Sequence, residues 1–137
     1  MSVAIYCHHG SGHDLNQWRS LIQAFRVRHW YVNVPLGQEP HPQLINTFKL
    51  VREPPYYAEF EVVVFDRTGD RLETFQHPRN ALYVFGDDKL GVQADRLALD
   101  RKKVAYSVVA VPGIHNIHAV SCGAMLFYDR CVMRGDE

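Results

Sequence analysis

The chain carries no excess of charge of either sign: fifteen Lys and Arg stand against fifteen Asp and Glu in 137 residues. A strongly basic nucleic-acid binder is therefore not indicated, although a local Arg patch stays open. Cysteine is scarce, an odd number of three at the widely spaced positions Cys7, Cys122 and Cys131. That set argues against a disulfide framework and fits a reducing compartment. No apolar run is long enough to cross a bilayer and no signal peptide is visible, so a soluble, cytoplasmic protein with no membrane partner is expected. Repeats, linkers and low-complexity stretches are missing as well, which leaves residues 1–137 as one domain. What is present is an ordinary globular balance of 47% apolar and 22% charged residues. A chain of this length buries about two-thirds of its unfolded surface.

Strand-like and helix-like segments alternate. Val3–Cys7 is a β-rich run leading into the Gly-rich loop "HHGSGHD". Leu15, Trp18, Leu21, Ile22 and Phe25 then recur at helical spacing, with Asp14 where an N-cap would accept from an orphan N–H. Trp30–Val34 reads as a second strand closed by Pro35. Pro42–Val51 reads as a helix, with Pro42 in its first turn and Pro54 and Pro55 beyond its end. Glu59–Phe65 is a strand ended by the turn "RTGD"; Ala81–Phe85 and Lys103–Val111 complete about five strands. Several are continuous apolar runs, as in parallel strands covered on both faces. The expectation is a single α/β domain with a mostly parallel sheet.

The last segment, Asn116 to Met133, is apolar almost all the way round a helical wheel. A helix apolar on every side is buried on every side. The sheet covers one side, and a partner subunit is the economical cover for the other; wrapping by the chain itself is the alternative.

Ligands of open α/β sheets bind beyond the carboxyl ends of the strands. Three such ends carry glycine: "HHGSGHD", "GDDKLG" and "PGIHN". Each alone is weak, since glycine after a strand is most often a turn. His8, His9, His13, His115 and His118 invite a metal, but zinc needs three or four convergent ligands at regular spacing and no Cys pair accompanies them, so no metal is expected. "HHGSG" before a helix resembles a hydrolase oxyanion loop, yet no G-x-S-x-G elbow exists; Ser121 lies in "AVSCG" inside a helix.

Taken in order, the three loops resemble the motifs of the SpoU branch of the SPOUT RNA methyltransferases. The first motif, roughly N-x-G-x-x-x-R-[TS], is matched by "HDLNQWRS", with Arg19 and Ser20 in place, His13 where Asn is usual and Leu15 where Gly is usual. The second, F-G-x-E-x-x-G-[IL], is matched closely by "FGDDKLGV", with Asp88 for Glu. The third, I-P followed by S-L-N and an apolar helix ending in Y-E, reads "VP" then "NIHAVSCGAMLFYD", with a shortened loop between Pro112 and Asn116. The resemblance implies a deep trefoil knot, a rare exception to the rule of un-knotted chains. It implies a homodimer through the helix Asn116 to Met133. It implies S-adenosylmethionine held by Val64, Phe85, Gly86, Asp87, Val111, Asn116 and Ile117. It also implies methyl transfer to an RNA ribose 2′-hydroxyl, with Arg19, Asn116 and His118 at the catalytic centre and His13 and Arg19 on the RNA of tRNA or rRNA. Since Arg stays protonated, Arg19 suits a phosphate clamp or alkoxide stabiliser rather than a base; a solvated helix residue is the plain alternative. A catalytically degraded RNA- or nucleotide-binding dimer is the rival reading.

Overall fold

Six segments pair side by side in parallel, in the order β3-β2-β1-β5-β4-β6. They are β1 (Ser2–His8), β2 (His29–Asn33), β3 (Lys49–Leu50), β4 (Glu61–Arg71), β5 (Asn80–Phe85) and β6 (Tyr106–Ala110). A computed structural model of the chain describes residues 2–8, 12–34, 46–87, 91–111 and 118–135, with the backbone only at 12–14. The helices are α1 (Gly12–Ala24), α2 (Gln93–Arg101) and α3 (Ala119–Phe127).

Side chains alternate across a strand, so the continuous apolar runs must bury two faces. One face carries Ile5, Cys7, Val32, Val63, Tyr83, Phe85 and Val109, packed with Leu15, Trp18 and Ile22 of α1 and Leu126 and Phe127 of α3. The other carries Ala4, Tyr6, Tyr31, Val62, Val64, Leu82 and Val84, packed with Val92 and with Leu99 of α2. α1 and α3 are locked together at two points. Phe25 stacks on Phe127 at 4.9 Å between ring centres. Trp18 packs close against Gly123, where an added Cβ would stand 2.5 Å from its ring.

The order of the strands sets the place of the site. The chain leaves β1 toward β2 on one side, and leaves β5 toward β6 on the other. Neighbouring β1 and β5 thus form the topological switch point, whose carboxyl-end crevice is where open α/β sheets bind ligands.

Four sequence expectations are corrected. Lys49–Leu50 is not the end of a helix but an edge strand beside Tyr31 and Val32; Phe48 anchors it by packing on Trp30 at 5.1 Å, and residues 42–45 lie outside the described residues. β4 does not stop at "RTGD". It leaves the ladder after Phe65 and rejoins it at Asp70 and Arg71, opposite Val109 and Ala110, with Gly69 passing too close to the Val108 backbone for any side chain. β6 starts at Tyr106 rather than Lys103 because Lys103, at φ 57°, turns the chain out of the unforeseen α2. The final helix begins at Ala119 and widens into a π-type helix over Tyr128–Met133. Its own chain buries Gly123, Leu126, Phe127 and Arg130 and leaves Met125, Tyr128, Val132 and Met133 exposed. Within one chain the helix is therefore covered on one side.

Candidate functional site

At the carboxyl end of β5 the backbone folds back on itself. The Asp87 N–H donates to the Gly91 carbonyl at 3.1 Å, and the Gly91 N–H donates to the Asp87 carbonyl at 2.8 Å. Any side chain at position 86 would overlap the Gly91 carbonyl and the Val92 side chain, so glycine is required there by closure of the loop itself. Gly91 supplies the left-handed turn, with φ 75°. Asp88 lies outside the described residues.

The three motif segments, far apart in the chain, meet at one indole. Trp18 packs on Phe85 at 4.8 Å, and Gly123 of α3 lies against the same ring. Phe85 stacks in turn on Phe65 at 4.6 Å. Arg19, next to Trp18 on α1, is half-buried, and Gly86, Asp87 and Val111 are half-buried at the same rim of the sheet, with β4 between β5 and β6. Val64 and Phe85 have fully buried side chains on opposite faces, so each reaches the rim only through its backbone or its packing. His118 is exposed and precedes α3, its carbonyl accepting the Ser121 and Cys122 N–H groups at 3.0 and 3.1 Å. Asn116, Ile117 and the side chain of His13 lie outside the described residues. Leu15, in the position usual for glycine, is fully buried in the core.

Sequence reasoning missed a second cluster at the same rim. His8 closes β1, and its Nδ1 lies 2.8 Å from Oδ1 of Asp95, in the first turn of α2; the side chains are 13% and 1% exposed. The Tyr6 hydroxyl lies 3.2 Å from the same nitrogen. Burial foremost, then the Asp95 carboxylate beside it, push the Tyr6 hydroxyl well above its ordinary range, so it stays neutral. The only signal in the sequence was the i, i+2 spacing of Tyr6 and His8 on one strand face; nothing local pairs either with Asp95. Among the described residues no group of three or more His, Cys, Asp or Glu is placed to hold a metal ion.

No protein-family model and no curated protein matches the sequence. Solved structures do. The SpoU methyltransferase AviRb from Streptomyces viridochromogenes, in complex with AdoMet, superposes over 97% of this chain with a TM-score of 0.73 at 14% identity. The TrmH/SpoU tRNA-modifying enzyme of A. aeolicus covers 98% of the chain, with a TM-score of 0.74 at 11% identity. A structure bearing on 2-OH methylation of C/U34 on tRNA covers 98%, at 0.67 and 15% identity. The chain has the fold of the SpoU/TrmH RNA methyltransferases. It spans 58% of the length of AviRb but 77% and 97% of the other two chains.

Proposed function

We propose that the protein is an S-adenosylmethionine-dependent RNA methyltransferase acting on a ribose 2′-hydroxyl of tRNA or rRNA. The observation that carries this reading is the meeting of three motif segments at Trp18, beside the switch point of a sheet whose fold is shared with AdoMet-bound AviRb. The donor set fits the cofactor. Backbone groups at Gly86 and Val111 suit an adenine edge, and the Asp87 carboxylate suits ribose hydroxyls; the motif resemblance adds Val64, Phe85, Asn116 and Ile117 to the same site. When bound, S-adenosylmethionine supplies an electrophilic methyl on a sulfonium, the C–S electron pair staying with sulfur. Positioning of the incoming oxygen then supplies much of the rate. Arg19 clamps a phosphate or stabilises the developing alkoxide, His13 meets the RNA, and Asn116 and His118 stand at the reacting centre. The chain closes as a trefoil knot in the cytoplasm and pairs with a second copy over Met125, Tyr128, Val132 and Met133, an apolar face whose exposure would otherwise favour aggregation.

One observation favours the rival, a catalytically degraded RNA- or nucleotide-binding dimer: Leu15 fills the usual glycine position with a core side chain. The two readings part on Arg19→Ala. Calorimetry is expected to give cofactor affinity within about threefold of wild type, while tritium transfer into bulk tRNA or rRNA falls about a hundredfold, the scale of losing one charge-stabilising donor. Nucleoside digestion then identifies 2′-O-methyl products. Undiminished transfer by Arg19→Ala removes Arg19 from the reaction. Cofactor binding without any methylation by wild type establishes the binding protein.

A further inference from the structure

Past its break, β4 builds a cavity that the methyl-transfer reading leaves unused. Gly69, Asp70, Arg71, Thr74, Phe75 and Gln76 line an open cavity of about 580 Å³, within the range of about 300–1,000 Å³ usual for ligand sites. Its walls are tied to the rim of the candidate site. Asp70 and Arg71 pair with Val109 and Ala110, so the cavity starts one residue from Val111 at the proposed adenine edge. Leu72, Phe75 and Val111 pack into the same core cluster as Trp18, Phe65 and Phe85, on the α1/α3 face. Local bonds hold the shape. The Phe75 N–H donates to the Leu72 carbonyl at 3.1 Å, and the Thr74 hydroxyl donates to the Arg71 carbonyl at 3.1 Å. Leu72 is buried, and Gly69 lies against the Val108 backbone. The polar ends are left for a ligand: the side chains of Asp70 and Gln76 make no hydrogen bond or ion pair among the described residues. Arg71 pairs with Glu73 on the surface, a contact that water and salt keep weak.

We infer that this cavity seats a guanine base of the RNA substrate, with Asp70 reading its Watson–Crick edge; that the base belongs to RNA rests on the methyl-transfer reading above. The chemistry of the carboxylate selects the base. It only accepts hydrogen bonds, and its two oxygens match two neighbouring N–H donors. Among the four RNA bases, guanine places two such donors side by side on that edge, the ring N1–H and the exocyclic N2 amine. Adenine and cytosine set an amine beside a ring acceptor, and uracil sets one N–H between two carbonyls. Each of these three brings a lone pair against a carboxylate oxygen. The half-buried Phe75 ring offers a stacking face. The Gln76 amide has a donor for the guanine O6, and the Arg71 fork suits a backbone phosphate.

Short single-stranded RNAs, identical except for guanosine, inosine, adenosine or cytidine at one position, test this by fluorescence anisotropy with the full chain at low salt. Wild type is expected to bind the guanosine strand about tenfold tighter than the adenosine and cytidine strands, the scale of one bidentate base contact. The inosine strand, which keeps N1–H and lacks the amine, is expected between them. Asp70→Asn is expected to erase the preference while the adenosine strand binds no less tightly, a pattern that damage to the fold would not give. Phe75→Leu is expected to weaken all strands alike by about tenfold, the scale of one lost base stack. Equal binding of the strands by wild type, or a guanosine preference that survives Asp70→Asn, overturns the proposal. Methylation of bulk tRNA or rRNA alongside equal binding overturns the cavity alone and leaves the transferase reading. A guanosine preference lost in Asp70→Asn, in a protein that methylates no RNA, keeps the cavity and overturns the transferase reading.

Discussion

The two ends of the sheet carry clusters built from the same residue types, histidine, aspartate and tyrosine, served to very different degrees. At the amino end of β5, the His77 Nδ1 lies 2.8 Å from the Tyr83 hydroxyl and its Nε2 lies 2.7 Å from Asp129. The buried Arg130 donates to the Pro78 carbonyl and the Tyr83 hydroxyl, both at 2.7 Å, and to the Arg79 carbonyl at 2.9 Å. Arg134 approaches Asp129 from outside at 3.5 Å. This network ties the π-type end of the last helix to the start of β5. At the carboxyl end, Asp95 keeps one buried oxygen without a partner among the described residues, and His8 reaches the surface. A fully served polar network rigidifies, while one left short of a partner at a strand end is a candidate for chemistry. Chemical identity alone does not separate the two; the accounting of partners does.

The largest expected effect breaks the served network. Arg130→Met keeps an apolar stem of similar length but strips the donor from two part-buried carbonyls and the buried Tyr83 hydroxyl. Its expected cost is about 3 kcal/mol, which lowers the melting temperature by about 10 °C in a domain of this size. His8→Gln at the other end keeps an amide N–H able to donate to Asp95, so its shift should be the smaller, less than about 5 °C. Scanning calorimetry on both variants decides: equal shifts would erase the contrast between a structural end and a chemical one.

A smaller effect comes from Gly123→Ala. The new methyl would stand 2.5 and 2.6 Å from two atoms of the Trp18 ring, and Trp18 is buried. The indole must move, at an expected cost of about 1–3 kcal/mol. Because the same ring supports Phe85 at 4.8 Å, the change should also weaken S-adenosylmethionine binding, although position 123 lies on a helix rather than a rim loop. Urea unfolding and calorimetry on one sample test both parts; lost stability with unchanged affinity would show that Trp18 supports the core and not the rim.

Much of this was legible where periodicity and composition agree. The apolar runs of β1 and β5 announced parallel strands, the spacing of Leu15, Trp18 and Ile22 announced α1, and "FGDDKLGV" fell at a strand end. Legibility failed where tertiary contacts decide. In "QADRLALDR" only Asp95, Ala98 and Leu99 are buried, too few to write a helical stripe. Lys49–Leu50 is an exposed two-residue edge fixed by its neighbour's ladder rather than by its own propensity. β4 runs through a turn signal because β6 takes it up again on the far side. The pairing of His8 with Asp95 is made by α2 crossing over β1, and a helix absent from the sequence reading could bring nothing to the site.

The smallest expected effect, a pH dependence, sharpens the comparison from the served end. His77 is held below its ordinary pKa chiefly by burial, helped by Arg130 and Arg134, with Asp129 pulling the other way. The folded state therefore takes up this proton less readily than the unfolded chain, whose histidine titrates near 6.5. Stability linked to His77 is present above that pH and is lost as pH falls through it, with a slope of at most about 1.4 kcal/mol per pH unit for one proton. Urea midpoints measured from about pH 7.5 down to about 5.5 should decline in wild type and flatten in His77→Gln, once the lower starting stability of the variant is subtracted. Parallel declines in wild type and His77→Gln would assign the acid sensitivity to other groups and leave the amino-end network a purely neutral clamp.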